Sequence, residues 1–317
     1  MSETHARSRT ARRLLSTRRL VTRIALACVV GFCGSISAQN GTVVFTTPIC
    51  GNGSQSAGAD LAFDTPTNTV WVLDQATGEI CQYPLAAIPP GLIFTVSVNH
   101  PFGPQGGIGA GFLPLCTGFT YDPTAQNFFI LALTTTGYMI ATIDSSEVAV
   151  APLVAPSLLA NSSLSGLARD SVTGNIWTRD TENHVALELN PTTGAIDSEV
   201  NLPGEAFSSG VGLAFTNASG VRALEFTRGT VLTGQPTKLV RIDAVTGQEL
   251  CVDVDLRQVP DPVLGVVRSP TGTSIFATTA TDLYQIDATQ GPLTAPRQLE
   301  CFQHGERLRH SLLAELR

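Results

Sequence analysis

Lysine is nearly missing: Lys238 is the only one in 317 residues, so basic charge rests almost wholly on arginine, a matter of composition rather than function. Histidine is sparse too. His5, His100, His184, His304 and His310 form neither H-x-H nor H-E-x-x-H, so no spaced pair of imidazole ligands is written into the chain. No C-x-x-C occurs, which speaks against a zinc cluster. No G-x-S-x-G occurs, which removes the nucleophile elbow. The one glycine-rich stretch, GGIGAG at residues 106–111, neither follows a strand nor opens a helix, so it reads as a loop and not as a phosphate cradle. Helical periodicity is also lacking between residues 41 and 300. The apolar run at residues 24–32 falls well short of the ~20 residues that a membrane span requires.

That run has a different meaning. Seven arginines and one acid precede it, and the small-residue stretch GSISAQ follows, which is the layout of an export leader cleaved after Ala38. The sequence therefore predicts a signal peptide over residues 1–38, a secreted or periplasmic product and no transmembrane anchor after cleavage. Twelve basic and 25 acidic residues remain, a net charge of −13. A chain this acidic repels phosphate backbones, so nucleic acid is not expected as a partner. The presequence has a bacterial look, so no glycans are inferred at the N-x-S sequons of Asn52, Asn161 and Asn217. Five cysteines follow the leader: Cys50, Cys81, Cys116, Cys251 and Cys301. In an oxidising compartment they are candidates for one or two disulfides, with one thiol left over. Their spacing leaves the connectivity open, with Cys50 to Cys81 or Cys50 to Cys301 considered. The odd count also admits a module of a larger surface assembly.

What the chain has in quantity is a repeat. Five segments share a start: DLAFD at Asp60, GFTYD at Gly118, GLARD at Gly166, GLAFT at Gly212 and GVVRS at Gly265. Each start runs into a turn of Pro, Thr, Gly and Asn, then a second short strand (VWVLD, FFILA, IWTRD, RALEF, SIFAT) and a third (ICQYP, IATID, LELNP, LVRID, YQIDA). Some copies add a second tight turn and a fourth strand such as ELCVDVDL. Four short β-branched strands per unit, at intervals of 46 to 58 residues, is the pattern of a β-propeller blade. Such a blade buries its faces only against neighbours, which accounts for 43% hydrophobic and only 14% charged residues.

With its G-L-A-hydrophobic-D starts, aromatic-valine-aspartate second strands and I-D-x-x-T-G turns, the chain resembles the secreted bacterial propellers of the YVTN, NHL and virginiamycin-lyase-like group. The resemblance spans residues from about 42 to 303. It implies an all-β fold: a single propeller at residues 39–303 with five four-stranded blades, or six if the insert at residues 100–115 hides a degenerate one. It further implies that TVVFTT at residues 42–47 closes the ring by joining the last blade. Residues 304–317 form a tail, at most a short amphipathic helix through Leu308, Leu312 and Leu316.

Function is harder to extract, because such propellers carry many unrelated activities. Asp64, Asp122 and Asp170 invite comparison with catalytic or calcium-binding acids, but they recur at one slot and precede a turn. An aspartate capping its own turn amides explains that recurrence. The same holds for Asp74 and Asp180, and for Asp144, Asn190, Asp243 and Asp287 at the third-strand end. Residues that break the repeat are the better guide. Arg169 and Arg268 stand where Phe63, Tyr121 and Phe215 stand elsewhere, Arg179 replaces Leu73 and Leu131, and Glu225 falls at the level of Val72 and Ile130. Arg169, Arg179 and Arg268 are therefore candidate ligand-binding residues, a seat for a carboxylate or sulfate if they face the channel. Otherwise each pairs with an acid of its own blade: Asp170, Asp180 or Glu182. The expected function is a non-enzymatic scaffold that binds a protein or carbohydrate ligand, without cofactor or metal. The alternative is a propeller hydrolase or lyase, lactonase-like or polysaccharide-active, working at the central channel.

Overall fold

The computed structural model describes residues 42–49, 58–74, 79–85, 94–96, 115–144, 150–202, 212–218, 220–229, 236–256 and 258–288. The leader, the insert at residues 100–115 apart from its last residue, and the tail at residues 304–317 lie outside them. All described elements are strands, and they form five sheets.

Blade 1 comprises β2 (Gly58–Asp64), β3 (Thr69–Asp74), β4 (Ile80–Pro84) and β5 (Phe94–Val96). Blade 2 comprises β6 (Leu115–Asp122), β7 (Asn127–Thr134) and β8 (Gly137–Asp144). Blade 3 runs through β9 (Leu164–Arg169), β10 (Ile176–Asp180), β11 (Val185–Leu189) and β12 (Ile196–Asn201). Blade 4 runs through β13 (Leu213–Ala218), β14 (Val221–Gly229), β15 (Pro236–Asp243) and β16 (Glu249–Asp255). Blade 5 takes β17 (Gly265–Arg268), β18 (Ser274–Thr278) and β19 (Asp282–Asp287), and its outer strand is β1 (Thr42–Pro48) from the other end of the chain. The expected five-bladed propeller with an N-terminal closing strand is therefore the fold. The ring is complete: β2 packs on β6, β6 on β9, β9 on β13, β13 on β17, and β17 on β2.

Blade 2 departs from the four-stranded plan. Among the described residues its outer strand shrinks to a bridge between Val154 and Ile140, with Val150 N donating to the Thr142 carbonyl at 3.0 Å. Pro152 and Pro156 flank that bridge. Proline has no N–H to give to a ladder, so the edge cannot continue.

The first hairpin of every blade obeys one backbone rule. Its last turn residue is left-handed: Asn68 (φ 53°), Gln126 (φ 56°), Gly174 (φ 84°), Gly220 (φ 75°) and Gly272 (φ 73°). Glycine fills that place without strain, and asparagine tolerates it better than most residues. The capping role expected of the slot-end residues is present beside it. Asp122 Oδ1 accepts the amides of Thr124 (2.9 Å) and Ala125 (3.2 Å), and Asp170 Oδ1 those of Val172 (2.7 Å) and Thr173 (3.2 Å). Asn190 and Asp243 do the same after the third strand.

The hydrophobic core is distributed around the ring in five clusters, one between each pair of adjacent blades. Between blades 1 and 2, Trp71 packs edge-on to Phe128 at 5.1 Å, and Tyr121 lies 4.9 Å from the same ring. Trp177 is fully buried between blades 3 and 4. Because burial is satisfied between blades, the axis need not be filled.

Candidate functional site

A cavity of about 500 Å³ lies at the axis. It is walled by the inner strands of all five blades and by the first hairpin turns of blades 1, 2, 3 and 5. The five inner strands contribute equivalent positions. Leu61, Leu167 and Leu213 form one tier, Ala62, Thr120, Ala168, Ala214 and Val267 the next, and Phe63, Tyr121, Arg169, Phe215 and Arg268 the third. At the other end of these strands the backbones approach too closely for side chains. A Cβ on Gly118 would stand 2.7 Å from the Gly166 carbonyl carbon, and one on Gly212 would stand 2.6 Å from the Val266 nitrogen. Glycine at the repeat start is thus required by the narrow end of the ring.

Blade 1 alone breaks that glycine slot, with Asp60. Its carboxylate accepts three backbone amides from three blades: Leu61 N at 3.0 Å on one oxygen, and Phe119 N at 3.2 Å and Leu167 N at 3.0 Å on the other. Burial pushes the Asp60 carboxyl well above its ordinary 3.8, against the pull of these amides and of Arg179. Arg179 is itself fully buried, its guanidinium 5.4 Å from the Phe226 ring. Burial lowers it to about 10 while Asp60 supports its charge, so it stays protonated at neutral pH.

Of the arginines on the cavity wall, Arg169 and Arg268 are held by acids of the neighbouring blade, where the sequence had offered acids of their own blade. Arg169 gives Nε (3.0 Å) and an Nη (2.7 Å) to Asp122 Oδ2 of blade 2, and its other Nη reaches the carbonyls of Asp170 and Asn175. Asp122 therefore does two jobs, one oxygen for its turn and one for Arg169. Burial alone would raise Asp122, but Arg169 and the two amides outweigh it and hold the carboxyl below 3.8. Asp170 repeats this with Arg222 of blade 4, and Arg222 also reaches Glu188 at 3.0 Å. Its carboxyl is likewise lowered: burial opposes, Arg222 and the Val172 and Thr173 amides prevail.

Glu225 is the third acid of the series. Arg268 of blade 5 gives its Nε to both carboxylate oxygens at 2.9 Å, and Arg241 of β15 places Nε 3.5 Å away. An Nη of Arg241 also donates to Thr216 Oγ1 at 3.0 Å. The strand register corrects the sequence placement of Glu225. It lies opposite Ala214, as Trp71 lies opposite Ala62, Phe129 opposite Thr120, Trp177 opposite Ala168 and Phe276 opposite Val267. The one aromatic of RALEF, Phe226, lies one position past the slot that Trp71 and Trp177 fill, so Glu225 slipped one step. It replaces an interior aromatic and leaves a buried carboxylate that needs cations.

Of the three candidate arginines, Arg169 and Arg268 line the cavity, while Arg179 stands outside its wall. Arg241 joins them there, and sequence comparison missed it. Its counterparts across the second-strand ladder are Gln82, Thr142, Glu188 and Gln285, polar in every blade, so it does not break the pattern. The signal that would have found it is its register opposite Glu225. No Asp or Glu lies among the described residues of the wall, which holds three arginines, the phenol of Tyr121 and hydroxyls of Thr216, Ser269, Thr271 and Thr273. Burial, then the charges of Asp64 and Asp122, push Tyr121 up to about 12, so it remains a hydrogen-bond donor.

Among the described residues no three His, Cys, Asp or Glu side chains gather as a metal site. No described helix is long and apolar enough to cross a membrane. Cys81 is disulfide-bonded, and Cys116 is a buried thiol pushed up to about 12 by burial. Cys50 and Cys301 lie outside the described residues, and of Cys251 only its place on β16 is described.

The chain matches no protein-family model, and no curated protein is similar to it in sequence. Solved structures are similar in fold. A glutaminyl cyclase of Myxococcus xanthus shares 15% identity at a TM-score of 0.49, over 77% of this chain and 94% of its own. A luciferin-regenerating enzyme shares 12% at 0.47, over 78% and 96%. A chain of a nidogen/laminin complex shares 15% at 0.43, over 67% and 85%. What this chain is rests on its own geometry: a five-bladed β-propeller with an arginine-walled axial cavity.

Proposed function

We propose that this protein is an exported, ligand-binding β-propeller, and that the axial cavity receives a small molecule. The observation that carries this reading is the wall. About 500 Å³ lies within the range of small-molecule sites. Its cationic side chains are pre-positioned by fixed partners, Arg169 on Asp122 and Arg268 on Glu225, so little ordering cost falls on binding. Aromatic faces from Phe63, Tyr121 and Phe215 supply apolar area. Binding is favoured over hydrolysis or lyase chemistry because the described wall offers neither carboxylate nor imidazole to move a proton at neutral pH. The disulfide at Cys81 supports an oxidising compartment, as does the leader.

The test is a thermal-shift screen of the mature protein against a chemically diverse small-molecule library, repeated on Thr271→Trp. Thr271 is an exposed residue of the rim, so a bulky ring there obstructs the cavity without entering the core. Ligands should raise the melting temperature of the wild type and lose that effect in the variant. Stabilisation that survives Thr271→Trp, or no stabilisation by any compound, would sink the proposal.

A further inference from the structure

Resting on that reading of the cavity, we infer that its ligand is a monocarboxylate with an apolar or aromatic body, its carboxylate seated on Arg241 and Arg268 between blades 4 and 5. The argument is one of charge and of free donors. Arg169 is matched one to one by Asp122, and its nitrogens are spent on that acid and on two carbonyls. At the blade 4–5 side the count differs. One carboxylate, Glu225, only 1% exposed, faces two guanidinium groups. Among the described residues, the two cations together carry one positive charge more than Glu225 balances.

Arg241 is the less committed of the two. Its single hydrogen bond among the described residues goes to Thr216, and its Nε has no hydrogen-bond acceptor despite being shielded from solvent. Asp243, two residues further along β15, spends one oxygen on the amides of Val245 and Thr246 and is not part of the wall. A guanidinium N–H shielded from solvent and without an acceptor is costly until one arrives. The hydroxyls of Ser269, Thr271 and Thr273 run in a hydrogen-bonded ladder at 3.1 and 2.8 Å along the same side, adding donors.

One surplus positive charge fits one negative charge. A phosphate dianion would leave a net negative charge in a half-enclosed site, whereas a carboxylate balances it and matches the planar guanidinium. The wall contributed by blades 1 and 2, with Leu61, Ala62, Phe63, Tyr121 and Pro123, is largely apolar and calls for a hydrocarbon or ring. A wholly acidic protein that keeps its described cavity wall free of acids is arranged to admit an anion.

Calorimetry with three probes of one shape reads this out: phenylacetate, its neutral amide and phenyl phosphate, each against wild type, Arg241→Gln and Arg241→Lys. The wild type should bind phenylacetate at least about tenfold more tightly than either of the others, the scale of one charge-assisted hydrogen bond. Arg241→Gln should weaken phenylacetate far more than the amide and so remove that preference, and Arg241→Lys should restore part of it. Equal binding of amide and carboxylate by the wild type overturns the inference whatever the variants do, and so does phenyl phosphate winning. If neutral compounds from the screen bind and are blocked by Thr271→Trp while none of the three probes binds, the carboxylate inference fails and the binding role stands. If nothing binds, both fail.

Discussion

Replacing Asp60 by alanine sets two ways of thinking about this ring against each other. Four blades carry glycine at this position, so a repeat-consensus view expects a small residue to be tolerated. The contacts predict the opposite. Asp60→Ala strips the acceptor from three buried amides, those of Leu61, Phe119 and Leu167, which belong to three different blades. A buried donor left without a partner costs about 1–3 kcal/mol. Some strain will relax, so the lower half of that range applies, and the total comes to about 3–6 kcal/mol. That is a large share of the ~5–15 kcal/mol by which a folded domain is stable. With a urea slope of about 3 kcal/mol/M, the unfolding midpoint should fall by about 1–2 M. The two tryptophans, Trp71 and Trp177, are buried at different blade interfaces and report the transition by fluorescence. Asp60→Asn keeps one carbonyl acceptor and should lose about half as much. A midpoint for Asp60→Ala within about 0.3 M of the wild type would refute the claim that this carboxyl ties the narrow end together. The sign of its pH dependence is also fixed. A carboxyl raised in the folded state stabilises most below 3.8 and loses that contribution as pH rises, so the gap between wild type and Asp60→Asn should narrow from pH 3.8 upwards.

Glu225→Gln leaves Arg268 and Arg241 without their shared counter-ion; because Glu225 is buried, the cost should be about 3 kcal/mol, seen as a drop of roughly 8 °C in Tm. An unchanged Tm would mean that solvent already screens the pair. In acid, Asp122, Asp170 and Asp180 are all held below 3.8 in the folded state. Their contribution is present above that value and is lost as pH falls beneath it, so urea midpoints should decline steeply below pH 3.8, and less so in Asp122→Asn. At the alkaline end, Cys116 and Tyr121 are raised from 9.0 and 10.0 to about 12. Stability should therefore fall as pH rises from 9 towards 12, and Cys116→Ser should delay the onset; a flat profile would contradict the burial of that thiol.

The ring was legible in the sequence because each blade advertises itself locally. A turn that needs a left-handed residue and a capping side chain favours Asp, Thr, Gly and Asn, and five such turns spaced alike count the blades. Relations between blades were not legible. Alignment shows that Asp122 and Asp170 are equivalent, but equivalence says nothing of adjacency, and the arginines that reach these acids come from the next blade. Glu225 and Arg241 face each other across a ladder, a register hidden because the aromatic of β14, Phe226, is displaced by one position from the slot used in the other blades. Asp60 was visible as a departure from glycine, yet two of its three amide partners lie 59 and 107 residues away in the chain, where no local pattern points. The shortened edge of blade 2 was written in Pro152 and Pro156.

The seam between β1 and β19 fixes how this molecule bears load. Thr42 lies opposite Asp287 and Pro48 opposite Asp282, so the chain enters and leaves the seam at the same end. Tension applied through the two ends would peel the antiparallel pair one hydrogen-bonded step at a time, as a zip opens, and would not stress all its bonds in parallel. A hook through both ends should therefore open the propeller at low force, at this seam first, while the other four blades stay intact. A tether at one end and a loop of another blade would pull against a closed circle and meet far greater resistance.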